Sequence, residues 1–374
     1  MWPSKTGITE ATVPGVEGES GRRPARLAAQ EGAANPLDGG ATSLTAPLKA
    51  NTTEKRDDDT IAVVGAGIIG LTTAIRLADA GLRPALIARD GVEQTTSANA
   101  GAIWGPFLSS IDGRVDAWSY RTLEVLREEA LIPGSGVEIV EGLLAERDPA
   151  ADCGWVTSFP GSRPARPDEL PPGFAEGWSY TVPIVDMPVY LRYLERQASE
   201  RDVPMLREEV SDTRSLPHSR IVIAAGLGAR ELVGDSGLEA ARGQLVVVTN
   251  PGIERFFTEG GEGPDLTYIL PQGDQVVLGG TAEWGLETTE PVDATSDAIL
   301  ARCAEIEPSL SETRVLARRV GLRPCRSSVC LERQVRDARQ TLYMNYGHGG
   351  SGVSLSWGCA ESVVGLVLAD GMRS

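Results

Sequence analysis

The chain has 374 residues, of which 41% are hydrophobic, enough to bury one large or two moderate cores, so a globular protein is the expected class. A formal net charge of -17 excludes the basic stripe that nucleic acid requires and opposes binding to an anionic membrane surface. The five cysteines, Cys153, Cys303, Cys325, Cys330 and Cys359, are scattered and form no close pair with a histidine, which argues against a metal site and for a reducing compartment.

Residues 1–59 are rich in Gly, Ala, Pro and Thr and carry no apolar period, so they read as a disordered extension. Arg22 and Arg23 look like a twin-arginine pair, but no apolar h-region follows, and an export signal is not expected. Lys55–Asp59 (KRDDD) reads as a solvated hinge. From Thr60 the text changes. Ile61 to Val64 is an apolar run ended by glycine, the pattern of a buried parallel strand. Leu71, Ala74, Ile75 and Ala78 recur at helical spacing until Gly81, and PALIARD (Pro84 to Asp90) is a second strand. Strand, glycine turn, helix and strand make a βαβ unit.

Downstream, Asp186 is placed to cap a helix with Pro188 in its first turn and Tyr190, Leu191, Leu194 and Ala198 on its apolar face. RIVIAAG (220–226) is another buried strand ending in glycine. QLVVVTN, LTYILP and DQVVLGGTA are short, β-branched and bounded by turn residues, which predicts antiparallel strands. A helix is expected over Asp297–Ile306, and another from Val353 with Leu355, Val363, Leu366 and Val367 mostly buried. No uninterrupted apolar run reaches the roughly 18 residues that span a bilayer. The expected fold is α/β, a Rossmann-like dinucleotide-binding domain (60–110, 181–235 and 321–374) interleaved with an antiparallel-sheet domain (111–180 and 236–320).

Gly65, Gly67 and Gly70 form GxGxxG between strand and helix. The first makes the turn, the second admits a pyrophosphate close to the backbone, and the third lets helix and strand approach. The helix N-terminus, with Ala66, Ile68 and Ile69, offers free N–H groups and about half a positive charge to the phosphates. Asp90 lies where a ribose-binding acid is expected, about 20 residues past the last glycine. Arg89 beside it would equally suit a phosphorylated ribose. Near the C-terminus, Gly347, Gly349, Gly350 and Gly352 surround His348 and precede a second helix N-terminus at Ser351 to Ser354. That arrangement lets backbone lie flat against a planar ring. A helix N-terminus stabilises the negative charge that a flavin gains on reduction, whereas nicotinamide becomes neutral, so the second motif favours FAD.

VVGAGIIGLTTA, TTSANAGAIWGPF (Thr95 to Phe107), GWSYTVPIVDMPVYLRYL (Gly177 to Leu194), ARGQ, LTYILP, VVLGGT, VGLRPCR (Val320 to Arg326) and NYGHGGSG, in this order, resemble the D-amino-acid oxidase and D-aspartate oxidase family from about residue 60 onward. The resemblance implies a non-covalent FAD enzyme. Such an enzyme takes hydride from the α-carbon of a D-amino acid, giving an imino acid that hydrolyses to a keto acid and ammonia, while dioxygen reoxidises the flavin to yield hydrogen peroxide. It assigns Arg323 to a bidentate grip on the substrate carboxylate, Tyr268 to a hydrogen bond to the same group, and the Gly350 carbonyl to the substrate amine. For the flavin it adds Thr96, Ser97, Gly101, Ala102, Ile103, Val210, Ala225, Gly226 and Gly349 to Ser354 (Gly349, Gly350, Ser351, Gly352, Val353, Ser354). His348 is then a loop residue beside the flavin, since hydride transfer from a neutral amine requires positioning more than a base.

The sequence departs from the family pattern at several points. Pro264, in a glycine-rich stretch, stands where animal D-amino-acid oxidases have a lid tyrosine; Gly105 replaces a glutamine and Ser351 a tyrosine. Ala282 occupies one position at which D-aspartate oxidases carry an arginine, and burying a carboxylate without a partner costs several kcal/mol, so neutral D-amino acids are the expected substrates. Glu283 leaves room for a basic one. A D-aspartate oxidase, a specialised FAD amine oxidase or dehydrogenase, a silent flavin-binding protein and a nicotinamide dehydrogenase share parts of the pattern. Arg323 and Tyr268 argue against silence, because such a protein has no use for a carboxylate clamp. A homodimer is left open. The chain ends MRS rather than SKL, and the cytoplasm is the expected compartment.

Overall fold

β1 (Asp57–Val64), α1 (Ile68–Asp79) and β2 (Arg83–Ala88) form the expected βαβ unit in the computed structural model, which describes residues 57–105, 113–148, 154–260 and 265–371. The expectations for residues 1–56 and for the lid around Pro264 lie outside the described residues. Ile61 to Val64 are buried and pair in parallel register with β2, Ile61 opposite Pro84 and Val64 opposite Ile87. The strand begins earlier than the apolar run. Asp57–Asp59, read from charge as part of a hinge, belong to β1, because a ladder is made by backbone groups and tolerates acids at a strand start.

The chain continues through β3 (Ala102–Ile103), α2 (Gly113–Glu129), β4 (Val137–Glu146), β5 (Arg163–Pro164) and β6 (Glu176–Val185). α3 (Met187–Ser199), β7 (Met205–Arg207), β8 (His218–Ile223) and α4 (Ala229–Val233) follow. Then come β9 (Glu239–Thr249), β10 (Phe256–Glu259), β11 (Asp265–Gln272), β12 (Gln275–Thr281), β13 (Glu283–Trp284) and α5 (Asp293–Ile306). β14 (Val315–Val335), β15 (Thr341–His348) and α6 (Gly352–Gly371) complete it. The Asp186 carboxylate accepts from the Val189 N–H at 3.4 Å and caps α3 as anticipated, with Tyr190, Leu191, Leu194 and Ala198 buried. α5 starts four residues before the expected Asp297. Its first turn has no apolar side chain larger than Ala294, and Ser296 is buried there through a hydrogen bond from Gln244 Nε2 at 2.9 Å rather than through hydrophobicity.

Among the described residues the strands make one mixed sheet in the order β3-β6-β4-β10-β11-β12-β9-β14-β15-β8-β1-β2-β7, with β5 on β6 and β13 on β9. The run β15-β8-β1-β2-β7 is parallel throughout. The strands β14, β9, β12, β11 and β10 are antiparallel to their successive neighbours, as the β-branched segments predict. β14 joins the two regions: Val315 to Cys325 pair with β9, and Cys330 to Val335 pair with β15. His348 ends β15 opposite Cys325, a strand position rather than the loop expected from its glycine neighbours.

Side chains alternate across the sheet. On β4 and β10, Leu143, Ala145 and Phe257 join the cluster under α5, whereas Leu144 and Phe256 pack toward the large core that contains α1, α2, α3 and α6. α6 is long and apolar enough to cross a bilayer by length and composition, although Glu361 interrupts its apolar run. It is packed against α1 and α2, with Val353, Leu355, Trp357, Cys359, Ala360, Val363 and Val367 buried. A Cβ on Gly358 would lie 2.3 Å from the Trp118 Cα, so the glycine is what lets α6 and α2 approach.

That helical core holds an acid. The Tyr190 hydroxyl donates to Glu129 Oε2 at 2.6 Å and accepts from Trp357 Nε1 at 2.9 Å, and Arg76 stacks 4.5 Å above the Trp357 ring. Burial pushes the Glu129 carboxyl up to about 7 from its ordinary 4.5, against the Tyr190 hydrogen bond and the Arg76 charge, which act in the opposite direction. Because the folded state holds this proton where the unfolded chain has released it, stability from Glu129 is greatest below pH 4.5 and declines as pH rises through 7. In Glu129→Gln the decline is absent. The Tm difference between variant and wild type is therefore expected to move in the variant's favour from pH 4.5 to 7 and then level off; a constant offset would contradict the shifted carboxyl.

Candidate active site

The glycine loop after β1 is shaped by contacts that exclude side chains. Gly65 has φ +115°, and a Cβ there would lie 2.3 Å from the Ala224 carbonyl oxygen after β8. A Cβ on Gly70 would lie 1.8 Å from the Gly65 carbonyl oxygen, so this position sets the approach of α1 to β1. Ser97 Oγ accepts from the Ile68 N–H at 3.1 Å and closes part of the helix N-terminus. Thr96 Oγ1 donates to the Leu322 carbonyl at 3.3 Å and ties this turn to β14.

A cavity of about 1050 Å³ runs from this loop to the antiparallel strands. Gly65, Ala66, Gly67, Ile68, Ile69, Arg89, Asp90, Thr96, Ser97, Gly101, Ala102, Ile103, Val210, Ala225, Gly226 and the stretch Gly349 to Ser354 all line it, together with Tyr268 and Arg323. Gly70 does not line it; this glycine sits behind the loop, where the Gly65 carbonyl occupies the space a side chain would need, the packing role expected of the third glycine. At the end near β2, Arg89 Nε donates to Asp90 at 2.8 Å and Nη1 reaches Glu209 at 3.5 Å. An arginine engaged by two carboxylates in an acid-lined end suits a ribose hydroxyl better than a ribose phosphate.

At the other end β14 delivers Arg323. Its side chain lies over Gly243 of β9, where a Cβ would be 2.2 Å from Nη1, and Nη1 donates to the Thr281 carbonyl at 2.8 Å. Tyr268 stands on β11 opposite Gly279. A Cβ on Gly279 would fall 1.7 Å from its ring, and Cβ atoms on Gly101 and Gly280 would come within 3.2 Å and 2.9 Å of its hydroxyl oxygen. Glycines on three sides thus make the slot. Burial pushes the Tyr268 phenol up while the nearby Arg323 cation pulls it down; burial pushes the Arg323 guanidinium down while Tyr268 acts in the opposite direction. Both effects mark a close cation–phenol pair recessed in the wall, a ready anion site.

Three buried polar atoms on residues that line this space, His348 Nε2, Ser351 Oγ and Asn345 Oδ1, have no hydrogen-bond partner among the described residues. Buried polar groups are normally satisfied, so these fit a ligand with a polar ring edge. Burial holds the His348 imidazole down at about 3, and it is neutral at physiological pH. The Gly105 N–H donates to Ser354 Oγ at 3.2 Å, which ties β3's end to the start of α6. Glu283 is corrected as a partner for basic substrates: it is an ion-pair partner of Arg242, 1% exposed, and stands off the cavity wall. Arg242 further donates to Gln244, Thr288 and Glu290, so a buried cation draws Glu283 away. Sequence motifs pointed to the glycines and to Arg323; Gln244 and Asn345 fall inside the ARGQ and NYGHGGSG motifs but were given no role, and nothing in the sequence pointed to Thr258 or Glu146, which also line the cavity.

A βαβ cradle joined to an anion clamp across an elongated cavity defines a dinucleotide-dependent oxidoreductase, and a family model described as FAD dependent oxidoreductase (DAO) matches residues 60–366. The chain belongs to this family. It is 43% identical over 307 residues to a D-amino-acid oxidase of Rubrobacter xylanophilus, covering 81% of this chain and 94% of that protein. A D-amino-acid oxidase of Streptomyces coelicolor is 40% identical over 316 residues, with 84% and 98% covered. The crystal structure of glycine oxidase from Bacillus cereus superposes with a TM-score of 0.71 at 19% identity, over 84% of this chain and 96% of that one, a likeness of fold.

Proposed function

We propose that the protein catalyses the FAD-dependent oxidative deamination of D-amino acids to keto acids, ammonia and hydrogen peroxide. The observation that carries this reading is the Arg323–Tyr268 pair, recessed beside Gly349 and Gly350 in the cavity that the glycine loop opens. Gly65 to Ile69, Thr96, Ser97, Val210 and the N-terminus of α6 would hold the cofactor, in a layer made by 60–110, 181–235 and 321–374, with 111–180 and 236–320 forming the substrate layer. FAD, when bound, supplies the hydride acceptor and is returned to its oxidised form by dioxygen. Arg323 and Tyr268 fix the substrate carboxylate, and the Gly350 carbonyl accepts from the amine, so that one handedness presents its α-hydrogen. The strands behind the site exclude water from the ion pair, which strengthens it.

No side chain is required to remove a proton. His348 is buried and neutral, and its protonated form does not arise in the working pH range. His348→Ala is expected to keep turnover within about tenfold of wild type, since a general acid or base contributes some 10²–10⁴; a fall of several decades in flavin reduction by rapid mixing would make the imidazole a base. Ala282 is buried and offers no cation, which supports a bias against acidic side chains. A substrate panel scored by peroxide release tests the reading: neutral D-amino acids are turned over and L-enantiomers are not, and a highest kcat/KM for D-aspartate would overturn the bias. The four described cysteines are buried and free, in line with a cytoplasmic protein. A homodimer is the assembly to test by sedimentation.

A further inference from the structure

Two arginines stand on neighbouring strands with the sheet between them. Arg323 of β14 is opposite Ala241 of β9 and lies over Gly243, on the cavity face. Side chains alternate along β9, so Arg242 points the other way and shares with Gln244, Val246 and Val248 the face that α5 covers. Arg242 is buried, and its N–H groups go to Gln244 Oε1 at 2.9 Å, the Thr288 carbonyl at 3.1 Å, the Glu290 carbonyl at 2.7 Å and the carboxylate of Glu283, its cross-strand neighbour.

Thr281 connects the two faces. Its carbonyl accepts from Arg323 Nη1 at 2.8 Å on the cavity side. Its hydroxyl accepts from the Gln244 N–H at 3.1 Å and donates to Glu283 Oε2 at 3.2 Å, the same oxygen that Arg242 Nη1 reaches. These bonds matter because the regular ladder stops here: the pairing of β12 with β9 ends at Gly279 opposite Leu245, and β12 itself ends at Thr281. The Gln244 N–H therefore finds a side-chain hydroxyl where a strand carbonyl would otherwise serve. Threonine has a single side-chain torsion that places its hydroxyl, and two directional partners hold it, which fixes the residue and with it the direction of its carbonyl. A bidentate grip on a carboxylate needs the plane of the guanidinium fixed in turn.

We propose that Thr281 and Glu283, held by Arg242, are positioning residues for Arg323, so that the carboxylate clamp is oriented from the far face of the sheet by side chains that touch no substrate. The inference rests on the oxidase reading of the cavity and adds the residues that set the affinity of its clamp. The holoenzyme is assayed with D-norleucine, and calorimetry measures its binding of caproate, which keeps the carboxylate and the aliphatic stem, lacks the amine and is not oxidised. The clamp holds the carboxylate alike before and during hydride transfer, so a loosened clamp acts on KM and leaves kcat. Thr281→Val removes the hydroxyl and keeps the shape; it is expected to raise KM about tenfold or more and to weaken caproate by a similar factor, with kcat within about threefold and FAD affinity within about twofold of wild type. Thr281→Ser, which restores the hydroxyl, is expected to bring KM and caproate affinity back to within about threefold. Glu283→Gln keeps the acceptor oxygen without its charge, and charge-assisted hydrogen bonds are roughly twice as strong as neutral ones, so a KM rise of about threefold or more at constant kcat is expected. This variant decides the matter if Thr281→Val does not fold. Ser296→Ala is the control for a purely structural loss: it removes the partner of Gln244 Nε2 at 2.9 Å, whereas Thr281 is held by the Gln244 backbone N–H, so Tm is expected to fall while KM stays within about twofold. Unaltered KM and caproate affinity in Thr281→Val, or in Glu283→Gln where the first does not fold, would overturn the relay and leave the oxidase reading standing, as would a KM rise in Ser296→Ala equal to that in Thr281→Val. A holoenzyme that oxidises no D-amino acid, yet loses caproate affinity in Thr281→Val, would remove the oxidase reading and keep the relay.

Discussion

Arg323→Ala is expected to lower kcat/KM for D-amino acids by about 10²–10⁴, the equivalent of 3–5 kcal/mol for a buried ion pair stripped of one partner. The size of the effect comes from where β14 runs. Arg323 stands in the part that pairs with β9, next to the change of partner toward β15, and Gly243 leaves the space its guanidinium fills. One Nη donates to the Thr281 carbonyl at 2.8 Å, which fixes the plane of the fork. Steady-state kinetics with D-norleucine checks the prediction, with the flavin absorbance showing that the cofactor remains. Arg323→Lys is expected to recover less than a tenth of the loss, because a single ammonium does not reproduce two parallel hydrogen bonds. Unaltered kcat/KM in Arg323→Ala would remove the residue from the site.

Gly70→Ala is expected to weaken FAD binding more than tenfold although the residue is off the cavity wall. Its Cβ would lie 1.8 Å from the Gly65 carbonyl oxygen, closer than any real contact, and both atoms belong to backbone or its first side-chain atom, so α1 must move away from β1. That displacement withdraws the helix N-terminus from the phosphates. Overpacking of this kind costs about 1–3 kcal/mol, or a Tm fall of roughly 2–12 °C in a domain of this size. Gly81→Ala serves as the contrast: that glycine has φ +78° with nothing near its Cβ position, so the variant carries backbone strain without disturbing the loop. Calorimetric FAD titration and thermal melts of the apoproteins separate the two. Equal FAD affinity in Gly70→Ala and wild type would show that the loop does not depend on the close approach of α1.

Much of this architecture is legible in the chain because local rules and global fold agree. Ile61 to Gly70 announce strand, turn and helix, and the Asp186–Pro188 pair marks the start of α3. α2 shows the spacing of a buried stripe, Val115, Trp118, Thr122 and Leu126, but touches no recognisable motif. The rest depends on pairings between distant segments. That β14 changes partner midway, that β4 and β10 run parallel, and that three glycines wrap Tyr268 follow from long-range register, which no local pattern encodes. Glu283 and Glu146 illustrate the difference. Each is an acid at the end of a β segment, yet Arg242 takes the first off the cavity wall while the second lines it.

Anaerobic mixing of the FAD-loaded protein with D-norleucine and, separately, with L-norleucine tests the central claim most directly. The arrangement of Arg323, Tyr268 and Gly350 beside the cofactor cradle predicts that the D-enantiomer bleaches the yellow absorbance and that admitting oxygen restores it with one equivalent of peroxide per substrate consumed. A flavin that stays yellow with the D-enantiomer, or bleaches only with the L-enantiomer, would contradict the account.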